Sequence, residues 1–353
     1  MPKQRLKQNK GLPSRWVKTH GAYYYRVPTG LEHKWDGKTK FRLGKTLVEA
    51  YKSFAERVGE DDAGVGKTIG ELLDKYLISE VPKKAVTTQA GNRIQISALR
   101  RVFGEMPLLP FPPKLIYQYV DKRDYKIAAH REVEVLSHAY TKAVEWGLID
   151  RHPFKGEVRL KGEKPRDRYV EDWEIEECFS LPNKGRGDSV AVAQSYIRLK
   201  LLTGLGRGDL LRLEPARQFK SDGIHVQRHK TKDSTGKRVI YSWTPALREG
   251  VENAIAVRPV DISPFLFCTR RGKGYINEET GNCAGWKSLW QRFYSKVIAE
   301  TRVEQHFTEH DLRAKVASDA ESLQHATELL AHADPRTTQR IYRRKATKVN
   351  PSQ

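Results

Sequence analysis

The sequence predicts a multidomain α+β protein: a small N-terminal β-sheet plus helix module, an all-helical domain, and a mixed, mainly helical domain with a small antiparallel sheet. Three observations lead there. A chain of 353 residues suits roughly two to three domains. Strand-like patterning gives way to helical periodicity after Gly59-Glu60-Asp61-Asp62-Ala63-Gly64-Val65-Gly66, a flexible and polar stretch that reads as a linker. In the second half, two alternating segments flank Ser234-Thr235-Gly236 and read as a hairpin amid helical patterning.

In the first module, expected to span 1–66, Ala22-Tyr23-Tyr24-Tyr25-Arg26-Val27 favours a strand and Pro28-Thr29-Gly30 a turn. Lys38-Thr39-Lys40-Phe41-Arg42-Leu43 gives a second strand, and residues 46–58 a short helix with Leu47, Ala50, Tyr51 and Phe54 on one face. The second domain, 67–160, opens with Thr68 as the cap of a helix over 69–77, whose Ile69, Leu72, Leu73 and Tyr76 share a face. Helices follow over 88–102, over 113–120 from its proline, and over 129–146, the last halted near Gly147 and Pro153. Residues 161–168 form a charged linker. The third domain, 169–353, has helices expected over 172–179, 188–202, 245–256, 282–300, 310–320, 327–330 and 337–344, with strands over 224–229 and 237–243.

Charge narrows the partner. Lys and Arg number 64 against 43 Asp and Glu, a net +21. Such a surplus opposes compaction and is usually tolerated where a polyanion neutralises it, so duplex DNA or RNA leads. Lys3, Arg5, Lys7, Lys10, Arg15 and Lys18 form a loose basic arm beside tyrosine-rich strands that end on Arg26. No stretch approaches about 20 apolar residues, and no segment joins a long apolar face to basic flanks, which argues against a membrane role. Met1-Pro2-Lys3-Gln4-Arg5 is not followed by the apolar run of a secretory signal. Cys178, Cys268 and Cys283 lie far apart, suggesting a reducing compartment and neither a disulfide framework nor a zinc site.

Three C-terminal features carry candidate chemistry: His310-Asp311-Leu312-Arg313, Leu329-Leu330-Ala331-His332, and Tyr342 flanked by Arg340, Arg343 and Arg344. Singly, each has an ordinary explanation as a helix cap, a packed histidine or an anchored terminal helix. Together they suit attack on a phosphodiester. A phenol of pKa near ~10 is a poor nucleophile unless its proton is removed or its oxyanion stabilised. Guanidinium and imidazole groups can neutralise the charge on the non-bridging oxygens. The 5′-oxygen needs a proton donor, and Lys230 on the hairpin is placed to reach it. No metal cluster is evident, which fits covalent chemistry without metal or cofactor.

On these residues the chain resembles the tyrosine recombinases, and especially phage integrases of the lambda type with arm-binding, core-binding and catalytic domains. His310 and Arg313 match the family's His-x-x-Arg box, and Leu329-Leu330-Ala331-His332 its Leu-Leu-Gly-His box. Asp334-Pro335-Arg336-Thr337-Thr338 matches the Asp-Pro-x-x-Thr-Thr that follows, with one intervening residue fewer, and the nucleophile falls on Tyr342. Lys230 matches the hairpin lysine, with Lys232 the less favoured candidate, and Asp209 the acidic support in Gly208-Asp209-Leu210-Leu211. Asn9-Lys10-Gly11-Leu12-Pro13 and Tyr23-Tyr24-Tyr25-Arg26 resemble an arm-site-binding domain. The stretch Ala143-Val144-Glu145-Trp146-Gly147-Leu148-Ile149-Asp150 resembles the end of a core-binding domain. The resemblance implies strand exchange through a 3′-phosphotyrosyl bond by a homotetramer on core and arm DNA sites, in the bacterial cytoplasm, without nucleotide. It also implies a host DNA-bending protein and a directionality factor. Lys232, Arg340, Arg343 and Arg344 join the arm as expected DNA contacts.

Two departures stand out. The family's Thr-Gly-x-Arg places an arginine where this chain has Gly206, and Arg207 comes next. One step along a helix turns a side chain by roughly 100°, so Arg207 would take over only after a backbone shift. The favoured reading is a true loss, with weak or absent cleavage and near-intact site binding. A catalytically inactive DNA-binding relative is the alternative function, and a relaxing enzyme of topoisomerase IB type a more distant one. In addition, Tyr342 lies ten residues after His332 where many relatives have nine, an extra residue expected in the connecting turn.

Overall fold

The computed structural model describes residues 9, 12–13, 15–46, 49–50, 53–54, 57, 68–229 and 236–346. The chain folds as two compact units, 1–163 and 164–353. Lys3, Arg5, Lys7, Lys10, Lys230 and Lys232 lie outside the described residues, as do the 59–66 linker and Ser234-Thr235.

The first unit opens with an antiparallel sheet of β1 (Trp16–Thr19), β2 (Ala22–Arg26) and β3 (Lys40–Gly44), in that spatial order. Trp16 pairs with Tyr25, and Tyr25 in turn with Phe41, so one face presents aromatic rings. Trp35, on a 3₁₀ turn, stacks on Phe54 with ring centroids 5.5 Å apart and completes this small core. Strand β1 has no counterpart among the strands that the sequence predicts. Arg15 and Lys18 read there as part of a loose arm, whereas Lys18 lies within the strand, with its ammonium 5.1 Å from the centroid of the Tyr23 ring. Of the expected 46–58 helix, Glu49, Ala50, Ser53, Phe54 and Arg57 are described and helical.

A separate helical core follows, made by α1 (Ile69–Ser79), α2 (Val86–Phe103), α3 (Lys114–Asp121) and α4 (Lys126–Glu145). Thr68 and Glu71 form a reciprocal capping box that fixes the start of α1, each side chain 3.2 Å from the other's backbone nitrogen. Ile69, Leu72, Leu73 and Tyr76 are fully buried, as the spacing predicts, in one core with Leu136 and Tyr140 of α4. None of the described helices is long and apolar enough to cross a membrane.

The second unit contains α5 (Asp172–Ser180), α6 (Ser189–Thr203), α7 (Arg207–Leu210), α8 (Pro215–Gln218), the antiparallel pair β4 (Gly223–Gln227) and β5 (Arg238–Ser242), then α9 (Pro245–Ala256), α10 (Ala284–Glu300), α11 (Glu309–Asp319), α12 (Leu323–Leu329) and α13 (Pro335–Thr337). Helix α6 is the hub. It packs against α9, α10 and α11 and is buried along nearly its whole length. It ends at Gly204, whose φ of +64° and contact with Leu330 leave no room for a side chain.

Helix α11 is held at its start by a charged cluster. Thr308 and Asp311 form a capping box, and the fully buried Asp311 pairs with Arg344 at 2.6 Å and Arg166 at 3.0 Å. Arg344 thus ties the chain beyond Tyr342 to the helix that carries His310 and Arg313. Removing one partner of a buried pair leaves an uncompensated charge, at a cost of about 3 to 5 kcal/mol. Asp311→Ala is therefore expected to destabilise the second unit by about 3 kcal/mol or more in urea titration, with the first unit unaffected.

Candidate active site

The site is organised by the end of α12. The helix closes on itself through a backbone turn, with His332 N donating to Thr327 O and Ala331 N to Glu328 O, and the four carbonyls that follow, 329–332, are satisfied by side chains from elsewhere. Leu329 O accepts from the Tyr241 hydroxyl at 2.9 Å, and Leu330 O from Arg313 Nη2 at 2.6 Å. Ala331 O accepts from Arg228 Nη1 at 3.3 Å, and His332 O from Lys237 Nζ at 2.8 Å. Ala331 adopts a left-handed φ of +50°, which turns the chain so that these carbonyls face the β4–β5 hairpin and α11. Arg313 also donates to Gly204 O, so one guanidinium locks α6, α11 and α12 together.

His332 is buried in this nest. Arginine can only donate, so the 3.2 Å contact from Arg313 Nη2 makes Nε2 of His332 the acceptor. The proton then sits on Nδ1 and is donated to Thr338 Oγ1 at 2.8 Å. Burial first, then Arg313, Arg228, Lys237 and His310, push the His332 pKa down to about 3. It is neutral at pH 7.

Tyr342 completes the cluster. Residues Thr338–Tyr342 wind as a π-helical turn, a winding that holds one residue more per turn than an α-helix. Tyr342 Oη lies 3.0 Å from His310 Nε2, and its ring centroid is 4.9 Å from both the His310 and the His332 rings. The Arg313 guanidinium lies 5.5 Å from the same centroid. Burial and the nearby Arg344, whose Nη2 is 3.4 Å from His310 Nδ1, lower the His310 pKa. Ser318 Oγ donates to Tyr342 O at 3.0 Å and accepts from Arg344 N at 2.8 Å, stapling this segment to α11.

The first box is arranged differently around Gly206. Arg207 pairs with Glu309 at 3.1 Å, and Glu309 also accepts from Tyr196 Oη at 2.6 Å and Trp286 Nε1 at 3.0 Å. Asp209 accepts from His229 N at 2.9 Å and so fastens α7 to the end of β4. The structure thus brings Tyr342, His310, Arg313 and His332 together, with Asp209 tied to the hairpin and Arg207 to Glu309. Among the other named cations, Arg15, Arg26, Arg340 and Arg343 are exposed, while Arg344 is turned inward onto Asp311.

Four further residues belong to this region. Arg228 is legible in the sequence: Ile224 and Val226 are its inward-facing neighbours at period two, so position 228 continues the buried face of β4. Lys200 is wholly buried on α6, donates to Leu205 O at 2.9 Å, and has its pKa pushed by burial to about 7. Thr338 lies in the Asp334–Thr338 motif without a role that the motif reveals, and Lys237 carries no signal, because each depends on a carbonyl or imidazole brought in by tertiary packing. Among the described residues no cluster of His, Cys, Asp or Glu could hold a metal ion.

The depressed His332 pKa fixes a sign. Between the ordinary 6.5 and about 3 the unfolded chain binds a proton that the folded chain refuses. The stability contributed by neutral His332 is complete above about 6.5 and is lost as pH falls towards about 3. His332→Gln is expected to flatten the acid limb of the unfolding free energy. Imidazole NMR of the folded chain should show His332 failing to protonate as pH passes through 6.5.

No family model and no curated protein matches the sequence. Solved structures do match. A lambda integrase dimer bound to a COC′ core site superposes with a TM-score of 0.61 at 18% identity, covering 99% of this chain and 100% of that one. A lambda integrase tetramer bound to a Holliday junction gives 0.58 at 20% identity, covering 92% and 97%. Residues 82–397 of the Tn1549 transposon integrase, in complex with circular intermediate DNA, give 0.58 at 14% identity, covering 80% and 97%. The chain has the fold of these integrases.

Proposed function

We propose that this chain is a site-specific DNA recombinase, an integrase that cuts and rejoins duplex DNA through a 3′-phosphotyrosyl bond to Tyr342. The observation that carries the reading is the 3.0 Å approach of Tyr342 Oη to His310 Nε2 beside Arg313 and His332. His310 is neutral near pH 7, the state in which an imidazole can exchange a proton with a phenol. As Oη bonds to phosphorus, negative charge grows on the non-bridging oxygens. Arg313 brings a positive charge beside it, with its guanidinium oriented by His332. The P–O5′ bond breaks and the 5′-oxygen takes a proton, for which Lys230 is the proposed donor. The phosphotyrosyl ester conserves the bond energy, so a 5′-hydroxyl from a partner duplex can reverse the step without nucleotide.

The net charge of +21 supports DNA as the partner. The fold shared with a lambda integrase tetramer on a Holliday junction supports a homotetramer working through a four-way junction. In this reading residues 1–66 bind arm sites, 67–160 bind core sites and 169–353 catalyse. Exposed Arg15, Arg26, Arg340 and Arg343 contribute phosphate contacts, together with Lys3, Arg5, Lys7, Lys10, Lys18 and Lys232. A host DNA-bending protein and a directionality factor belong to the same proposal, as does a place in the bacterial cytoplasm.

A second reading, a DNA-binding relative that does not cut, draws on Gly206 and on the engagement of Arg207 with Glu309. A pool of nicked duplexes randomised over their central segment separates the two, since no attachment site need be known. The recombinase reading expects DNA-linked protein that survives SDS, at least about 10²-fold above Tyr342→Phe, with duplex binding unchanged in the variant. Retention of the adduct in Tyr342→Phe would remove Tyr342 from the role. Binding by wild type with no adduct would favour the second reading.

A further inference from the structure

We infer that Arg228, at the end of β4, supplies the second phosphate-facing guanidinium of this site, in the space that Gly206 leaves beside Asp209. The inference rests on the recombinase reading and names a residue that the sequence motifs do not assign.

A phosphoryl centre under attack by a tyrosine carries charge on two non-bridging oxygens, and one arginine offers a fork to only part of it. Arg313 is already committed. Its two terminal nitrogens hold Gly204 O, Leu330 O and His332 Nε2, and it is 3% exposed. Arg207 is bound to Glu309, a carboxylate itself buried and held by a tyrosine and a tryptophan. Neither provides an additional fork.

Arg228 differs. Its Nη1 rests on Ala331 O, the carbonyl between those that hold Arg313 and Lys237, which sets it in the same row of cations. Its Nε, like that of Arg313, is buried with no hydrogen-bond partner among the described residues, and it alone of the two lies beside Asp209, 3.7 Å from Oδ2. A donor buried without a partner is costly, and such a group is commonly satisfied by a ligand or water. The Asp209 contact marks the position. A Cβ built on Gly206 would lie 3.3 Å from the same Oδ2 oxygen. A side chain at 206 and the guanidinium of Arg228 therefore approach one carboxylate oxygen from two elements. Arg228 also lies close enough to lower the pKa of both Arg313 and His332.

Asp209 acts as a positioning residue for this arrangement. One oxygen accepts from His229 N, which fixes the backbone beside Arg228, and the other faces the guanidinium. During cleavage the Oη–P bond forms and the P–O5′ bond breaks. Arg228 exchanges no proton in this step and neutralises charge on a non-bridging oxygen, as the second cation beside Arg313.

The test uses the full chain and the randomised pool of nicked duplexes, scoring SDS-stable adduct and duplex affinity separately. Arg228→Ala is expected to slow adduct formation by about 10²-fold while affinity stays within about threefold. Arg228→Lys, which keeps a charge but loses the planar fork, should recover only part of the rate. Gly206 has a φ of −64° that any residue adopts, so Gly206→Arg in the Arg228→Ala background should restore cleavage at least about tenfold. Thermal unfolding of each variant guards against mere misfolding, and the double variant reports on chemistry even where Arg228→Ala is less stable. Wild-type rates in Arg228→Ala would overturn the inference and leave the recombinase reading intact. So would an inert wild type beside an active Gly206→Arg variant. Bound duplex without adduct from both wild type and Gly206→Arg would overturn the recombinase reading itself.

Discussion

The carbonyl row of residues 329–332, where the chain leaves α12, is the constraint on which the second unit turns. Helix α12 satisfies its own last carbonyls with a backbone turn through Ala331, in which His332 N donates to Thr327 O and Ala331 N to Glu328 O. Here the four carbonyls of residues 329–332 are met by Tyr241, Arg313, Arg228 and Lys237, drawn from α11 and from both sides of the hairpin. Each of these donors is charged or has a polar tip, and each loses water on arrival. That cost is offset only because the acceptors come as a row with fixed spacing. Ala331, in a left-handed conformation that costs a non-glycine residue about 1 kcal/mol, is the hinge of the row.

This row explains how Arg313 and Lys237 are held by carbonyls rather than carboxylates. Arg313 and Arg228 repel one another, and both depress the pKa of His332. Carbonyl dipoles hold Arg313 without cancelling its charge beside the Tyr342 ring, while Arg228 also lies 3.7 Å from the Asp209 carboxylate. Two other carboxylates sit behind this layer. Asp311 is engaged by Arg344 and Arg166, and Glu309 by Arg207, where they position helices.

Much of this is legible in the chain itself, for identifiable reasons. Thr68 and Glu71 announce a helix start because the capping box is local chemistry, and the buried face of α1 follows from its spacing. Helix α9 begins at Pro245 and ends at Ala256 as its pattern predicts. The β4–β5 pair falls within two residues of the alternating segments that foretell it. Strand β1 escapes such a reading because Arg15 and Lys18 look like a solvated arm until Trp16 is seen packing inward. The π-helical turn escapes it because the spacing from His332 to Tyr342 does not say how the backbone between them winds.

The sequence by itself determined the types of group available: a late tyrosine, two histidines and an arginine in spaced motifs, a glycine at 206, and a large cationic excess. Local rules also determined most helix starts and the hairpin, because capping, alternation and turn chemistry act over a few residues. Tertiary structure alone decided which guanidinium goes where. Arg207 and Arg228 are equally arginines on paper, yet one is drawn to Glu309 and the other to Ala331 O, beside Asp209 and Gly206. Their partners lie about 100 residues away in the chain, and a long side chain is directed by the nearest unsatisfied acceptor in space, which no local pattern encodes.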